Sequence, residues 1–159
     1  KILKSEWSTY FRMFLEGHDD EIRVAFGNQF YIDEGNIDFS KKHVVVFNKN
    51  NPKWADRSEY INLWSEYTRQ PAIDLGETLA IVPTGHYSGS SYTFQAAFWY
   101  SSWESFIINH RSLENFGPMT EKQKRMWDIG RDHKDEIVTY LGSTWSPEGN
   151  QSKTFTIAK

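Results

Sequence analysis

The 159-residue chain carries 18 Lys and Arg against 21 Asp and Glu, a net charge of −3 that is too mild for a protein built to bind polyanions. Charged residues make up 25% and apolar ones 38%, a balance that fits neither a disordered chain nor an integral membrane protein. Cysteine is absent, which rules out disulfides, thiolate metal sites and thiol nucleophiles, while 16% aromatic residues supply ample surface for one core.

Residues 5–16 are predicted helical: Ser5 caps, Trp7, Tyr10, Phe11, Phe14 and Leu15 recur at helical spacing, and Gly17 stops the run. Asp19 caps a second, short helix whose apolar face is Ile22, Ala25 and Phe26. Phe30 to Ile32 and His43 to Phe47 read as strands, and Asn48 to Lys53 as a polar loop. A third helix starts at Asp56 or Ser58, carries Tyr60, Leu63, Trp64 and Tyr67 on one stripe, and ends at Pro71.

Thr78 to Thr84 is a β-branched run in which Pro83 marks an edge or a bulge. Tyr92 to Tyr100 reads as a strand of alternating aromatics, either core or a ligand wall that includes Trp99. Ser101-Ser102 turns the chain, and Trp103 to Ser112 runs back as a strand, completing an antiparallel meander. A long helix follows from about Thr120 to Leu141, with Thr120 and Gln123 as a capping box and Gly142 as its stop. Thr154 to Ile157 is a final short strand. The pattern indicates an α+β fold. Apolar runs such as Val44 to Phe47 are far short of the about 20 residues that span a bilayer, and the N-terminus has no apolar signal-peptide core. A soluble protein of unassigned compartment is expected, with no membrane and no nucleic-acid partner.

Most chemical signatures are missing. Gly85-His86-Tyr87-Ser88-Gly89 has neither the Lys-Ser/Thr pair nor the helix of a phosphate loop. His18, His43, His86, His110 and His133 show no ligand spacing, so neither a metal nor a cofactor is expected. His18-Asp19-Asp20-Glu21 reads as a helix cap with an acidic first turn, and His133 as part of a solvated helix face. The segment Trp103 to Ser112 is more informative. In a strand, Phe106, Ile108, His110 and Ser112 share one face, and Trp103, Ser105, Ile107 and Asn109 the other. An imidazole beside a hydroxyl can move a proton or hold a small polar ligand, although a structural histidine at a strand end fits the same pattern.

Several segments together resemble a known superfamily. Gly17-His18-Asp19-Asp20-Glu21-Ile22, Phe26 and Phe30-Tyr31-Ile32 resemble the start of nuclear transport factor 2-like proteins. Ser58 to Trp64, with Asn62-Leu63-Trp64-Ser65, resembles the third helix of the calcium/calmodulin-dependent kinase II association domain, a branch of that superfamily. Gly76 to Ile81 is similar to its next strand, and Phe98-Trp99-Tyr100, Trp103 and His110-Arg111-Ser112 to its last hairpin. The iota-class carbonic anhydrases end that strand with His-x-Ser, and their Gly-Asn-Tyr is similar to Gly85-His86-Tyr87.

The resemblance covers residues 5–116 and implies a cone, a curved antiparallel sheet wrapped around N-terminal helices with a pocket at its open end. A domain over 1–116 with a C-terminal helical extension over 117–159, packed on the same domain, follows from it. It implies a metal-free acid/base enzyme of lyase, hydratase or isomerase type, carbon dioxide hydration being the most specific version. His110, Ser112 and Tyr87 take the catalytic roles; Arg111, His86, Trp99 and one of Tyr60, Trp64 or Tyr67 contact a small polar or anionic ligand. It also implies a homodimer or larger homo-oligomer. Departures include Asn48-Lys49-Asn50 where the carbonic anhydrases have a Thr. The competing readings are a non-catalytic oligomerisation or ligand-binding module and a host-interaction protein.

Overall fold

The computed structural model describes residues 22–88, 92–114, 117–145 and 154–157; the expected helix over 5–16 lies outside them. Strands β1 (Ile22–Ala25), β2 (Tyr31–Ile32), β3 (His43–Asn50), β4 (Thr78–Ser88), β5 (Phe94–Tyr100) and β6 (His133–Tyr140) form one curved antiparallel sheet. Its order is β1-β4-β5-β3-β6, with β2 also on β4. The helices are α1 (Arg57–Trp64), α2 (Gln70–Asp74), α3 (Trp103–Glu114) and α4 (Glu121–Gly130). A separate ribbon pairs β7 (Gly142–Trp145) with β8 (Thr154–Ile157). The fold is α+β, as the element pattern suggested.

The first half departs from expectation in three places. Ile22 to Ala25 is a strand rather than a short helix; it pairs with the far end of β4. Asn48 to Asn50 is not loop but the end of β3, paired on both sides, with β5 and with β6. Pro71 does not end the helix. A π-helical turn, Ser65–Arg69, links α1 to α2 without a break, and Pro71 is the second residue of α2, inside the continuous helical run. Pro83 lies where β4 changes neighbours: the β1 register ends at Thr84, the β2 register begins at Ile81, and Phe26 N donates to Pro83 O at 3.0 Å. The register shifts of β4 fall elsewhere, between Thr78 and Ala80 against β5 and between His86 and Ser88 against β1.

The segment read as the last hairpin strand is α3. Its helical period is visible in the contacts: Phe106 and His110, four residues apart, stack with ring centroids 5.6 Å apart. Asn109, 1% exposed, fastens the helix to the sheet. It accepts from the Tyr100 hydroxyl at 3.3 Å and donates to Ala72 O at 3.3 Å and Thr78 Oγ1 at 3.2 Å. Trp103, at the start of α3, is 53% exposed.

The helix expected to reach Leu141 stops at Gly130. Its start is as predicted: Gln123 N donates to Thr120 Oγ1 at 3.2 Å while Thr120 N donates to Gln123 Oε1 at 2.8 Å. Arg131 then takes φ 57, which breaks the helix, and the chain returns as β6 beside β3. Gly142 opens β7 instead of ending a helix. The segment after residue 117 therefore supplies one helix and an edge strand of the main sheet, not a wholly helical extension.

One face of the sheet carries the core. Val44, Val46, Ile81, Phe94, Phe98 and Tyr100 meet Tyr60, Leu63, Trp64 and Ala72 from the helical run and Met126 and Ile129 from α4. Trp64 sits edge-on to Phe94 at 4.9 Å and to Phe98 at 6.2 Å. Each such ring removes on the order of 150–250 Å² from water, so these few contacts dominate the core.

Candidate functional site

Where the core ends, the same sheet face becomes polar. Val44 and Val46 give way along β3 to Asn48 and Asn50. The antiparallel register sets Asn48 opposite Asp135 and Asn50 opposite His133 on β6. These four side chains floor a cleft with two adjoining cavities of about 410 and 260 Å³, which share Asn48, Thr68, His110 and Asp135. The helical run supplies one wall through Tyr60, Trp64, Tyr67 and Thr68, α3 supplies His110, and α4 closes over with Gln123, Met126 and Trp127. Helix α4 is tied down beside the cleft: Arg125 donates to both oxygens of Glu59, at 2.9 and 2.8 Å, and Lys122 reaches Glu66 at 3.3 Å.

The floor is a closed hydrogen-bond ring. Asn48 Nδ2 donates to Asp135 Oδ1 at 3.1 Å, and Asn50 Nδ2 donates to Asn48 Oδ1 at 2.8 Å. His133 Nδ1 lies 3.1 Å from Asn50 Oδ1, and His133 Nε2 lies 3.0 Å from Asp135 Oδ2. The direction of the whole ring follows from one member. A carboxylate accepts only, so Asn48 turns its NH2 to Asp135 and its oxygen to Asn50. Asn50 then gives its NH2 to Asn48 and presents its own oxygen to His133. Both imidazole nitrogens thus face oxygen atoms, Asn50 Oδ1 on one side and Asp135 Oδ2 on the other. The Trp127 ring lies T-shaped to the imidazole with ring centroids 5.3 Å apart, on the α4 side.

Tyr60 lies beneath this ring. Burial, reinforced by the negative charge of Asp135, pushes its phenol well above the usual tyrosine value, so the hydroxyl stays protonated. Gly130 makes the approach possible: a Cβ there would stand 2.9 Å from Tyr60 Cε2 and 3.4 Å from Asn50 Oδ1. Trp64 is buried, and its indole N–H meets no acceptor among the described residues.

The structure gathers His110, Tyr60, Trp64 and Tyr67 in this one cleft. Arg111 follows on the exposed side of α3, and His86 lies on β4 opposite Arg23 at the sheet's other edge. Trp99 points to the other face of the sheet, where it packs with Phe39, His43 and Tyr140 at 5.8, 5.9 and 5.1 Å. Tyr87 and Ser112 have their backbones in β4 and α3, and their side chains lie outside the description. Sequence reasoning missed Asn48, Asn50, His133 and Asp135. The available signal was the β-branched run Ile137-Val138-Thr139, which marks a strand and would have put His133 and Asp135 on one face of it.

No protein-family model matches the chain, and neither a curated protein nor a solved structure matches it. Among the described residues there is no group of three or more His, Asp or Glu placed to hold a metal ion.

Proposed function

We propose that the cleft binds a small polar or anionic molecule and moves its proton without a metal, as an acid/base enzyme of lyase, hydratase or isomerase type. The hydrogen-bond ring carries this reading, because an imidazole fixed beside a carboxylate at the floor of a partly apolar cavity is a group that can exchange a proton with a ligand. His133 is the proton carrier, Asp135 holds its ring in place, and His110 faces the same space from α3. In carbon dioxide hydration, the most specific version, the neutral imidazole takes a proton from water as the water oxygen bonds to carbon. Bicarbonate leaves, and the proton then passes to solvent. Ser112 and Tyr87 belong to this proposal through the resemblance alone. The nuclear transport factor 2-like cone is likewise our proposal for the architecture. The curved sheet around the helical run supports it; the helical state of His110-Arg111-Ser112 departs from it.

Stopped-flow carbon dioxide hydration on chelator-treated protein tests the reaction, with His133→Ala and His110→Ala in parallel. Losing the general acid/base should lower the rate by about 10²–10⁴-fold in His133→Ala. Hydration by the parent protein that survives in both variants would move the chemistry elsewhere, and no hydration by the parent would remove this substrate. A second reading, an oligomerisation module, has its own support: Trp103, Ile107 and Ile108 leave a half-exposed apolar patch on α3. Solution mass measured for the parent and for Ile108→Glu checks it; a monomer at all concentrations would dismiss it.

A further inference from the structure

At the sheet's other edge, outside the cleft, Arg57 occupies a place that the sequence has to clear for it. Its guanidinium lies across Gly85 of β4. A Cβ at Gly85 would overlap Arg57 Nη2 and stand 2.9 Å from its Cζ and 2.7 Å from Phe26 Cζ. The cation rests on aromatic faces, with Cζ 5.2 Å from the Phe26 ring centroid and 4.9 Å from that of Trp54. Stacking occupies the flat faces of a guanidinium and leaves the N–H donors at its edges. Among the described residues no oxygen accepts from those donors. The neighbouring carboxylate, Asp56, is turned to Arg125 at 3.8 Å. Partial burial disfavours the charged form of Arg57, and so does Arg23, whose Nη2 donates to Tyr92 O at 2.6 Å. Trp54 itself is 78% exposed beside the fork.

We propose that Arg57, between Phe26 and Trp54, is the anchor of a phosphate-binding site separate from the cleft, suited to a phosphate monoester. The fork of N–H donors matches two oxygens of a phosphate or a carboxylate alike. The dianion is the better fit because no carboxylate among the described residues pairs with Arg57 and its fork of donors is open at the edges. The exposed Trp54 ring forms a flat wall beside the phosphate for the group that carries it.

Titration with inorganic phosphate at low, matched ionic strength tests this, read by tryptophan fluorescence, with Trp54→Phe identifying the responding ring. The parent should saturate, with acetate at least about tenfold weaker because it brings one charge where phosphate brings up to two. Arg57→Lys keeps the charge and loses the fork, so its affinity should fall about tenfold or more, and Arg57→Gln should abolish the response. His133→Ala should bind phosphate as the parent does, which separates this site from the cleft. A response equal to that of chloride, or one unchanged in Arg57→Lys, would overturn the proposal; acetate binding as tightly as phosphate would make the ligand a carboxylate instead.

Discussion

Asn109 is the most informative residue to remove, because helix and strand readings of its segment disagree about it. Asn109→Ala deletes three buried hydrogen bonds, to Tyr100, Ala72 and Thr78. At about 1 kcal/mol net for each bond, the loss is about 3 kcal/mol. It is held near that figure because the Tyr100 hydroxyl keeps Thr78 as a partner. In a chain of this length that corresponds to a fall in melting temperature of about 6–12 °C. Equilibrium urea unfolding followed by far-ultraviolet circular dichroism should show a lower midpoint at unchanged slope. Thr78→Val in the same background completes a cycle that should show coupling above about 0.5 kcal/mol. Ile108→Ala is the control: at 43% exposure it should cost less than about 1 kcal/mol. If Asn109→Ala were neutral and Ile108→Ala severe, α3 would not dock through Asn109, and Ile108 would share Phe106's buried face as the strand reading has it.

Two other changes follow from single residues. Arg131 holds φ 57 and ψ −131, a region that favours glycine, so Arg131→Gly relieves about 1–3 kcal/mol of strain while adding about 0.4–1 kcal/mol of unfolded-state freedom. A net gain in thermal stability is expected, and a net loss would show that the backbone there is unstrained. Glu136 accepts from Lys134 and Lys49, each at 2.7 Å, and these two lysines hold its carboxyl below the ordinary glutamate value of 4.5. A carboxyl lowered in the folded state stabilises above the unfolded value and ceases to do so as pH falls through the folded one. Lys49→Met should therefore make the loss of stability below pH 4.5 shallower. An unchanged acid limb would mean that the pair contributes nothing.

The sheet was legible where side-chain pattern and environment agree. The apolar run of β3, the β-branched run of β4 and the alternating aromatics of β5 are strands for the reasons the sequence suggests, and Thr120 with Gln123 caps α4 as written. The misreadings share one cause, a local pattern compatible with two periods. Trp103 to Ser112 is rich in aromatic and β-branched residues, so alternation can be traced in it. Yet Phe106, Asn109 and His110 fall at helical spacing, and that spacing decided the outcome. Charged residues from Arg131 to Glu136 looked like an exposed helix face because the helix break at Arg131 depends on a conformation rare for arginine. Of the cleft, the aromatic wall and His110 could be named in advance. The ring of Asn48, Asn50, His133 and Asp135 depends on the pairing of strands 83 residues or more apart, which no local window contains.

The position of β6 has a consequence for how activity and fold part company. It is the last strand of the sheet, bonded to β3 on one side with no strand beyond it among the described residues. An edge strand opens at a lower free energy than the strands inside the sheet. When β6 detaches, His133 and Asp135 leave Asn48 and Asn50 together, while β4, β5 and β3 keep their own ladders. The proton transfer we propose for the cleft should therefore fail some degrees below the main melting transition, and the amides of β6 should exchange with deuterium well before those of β5.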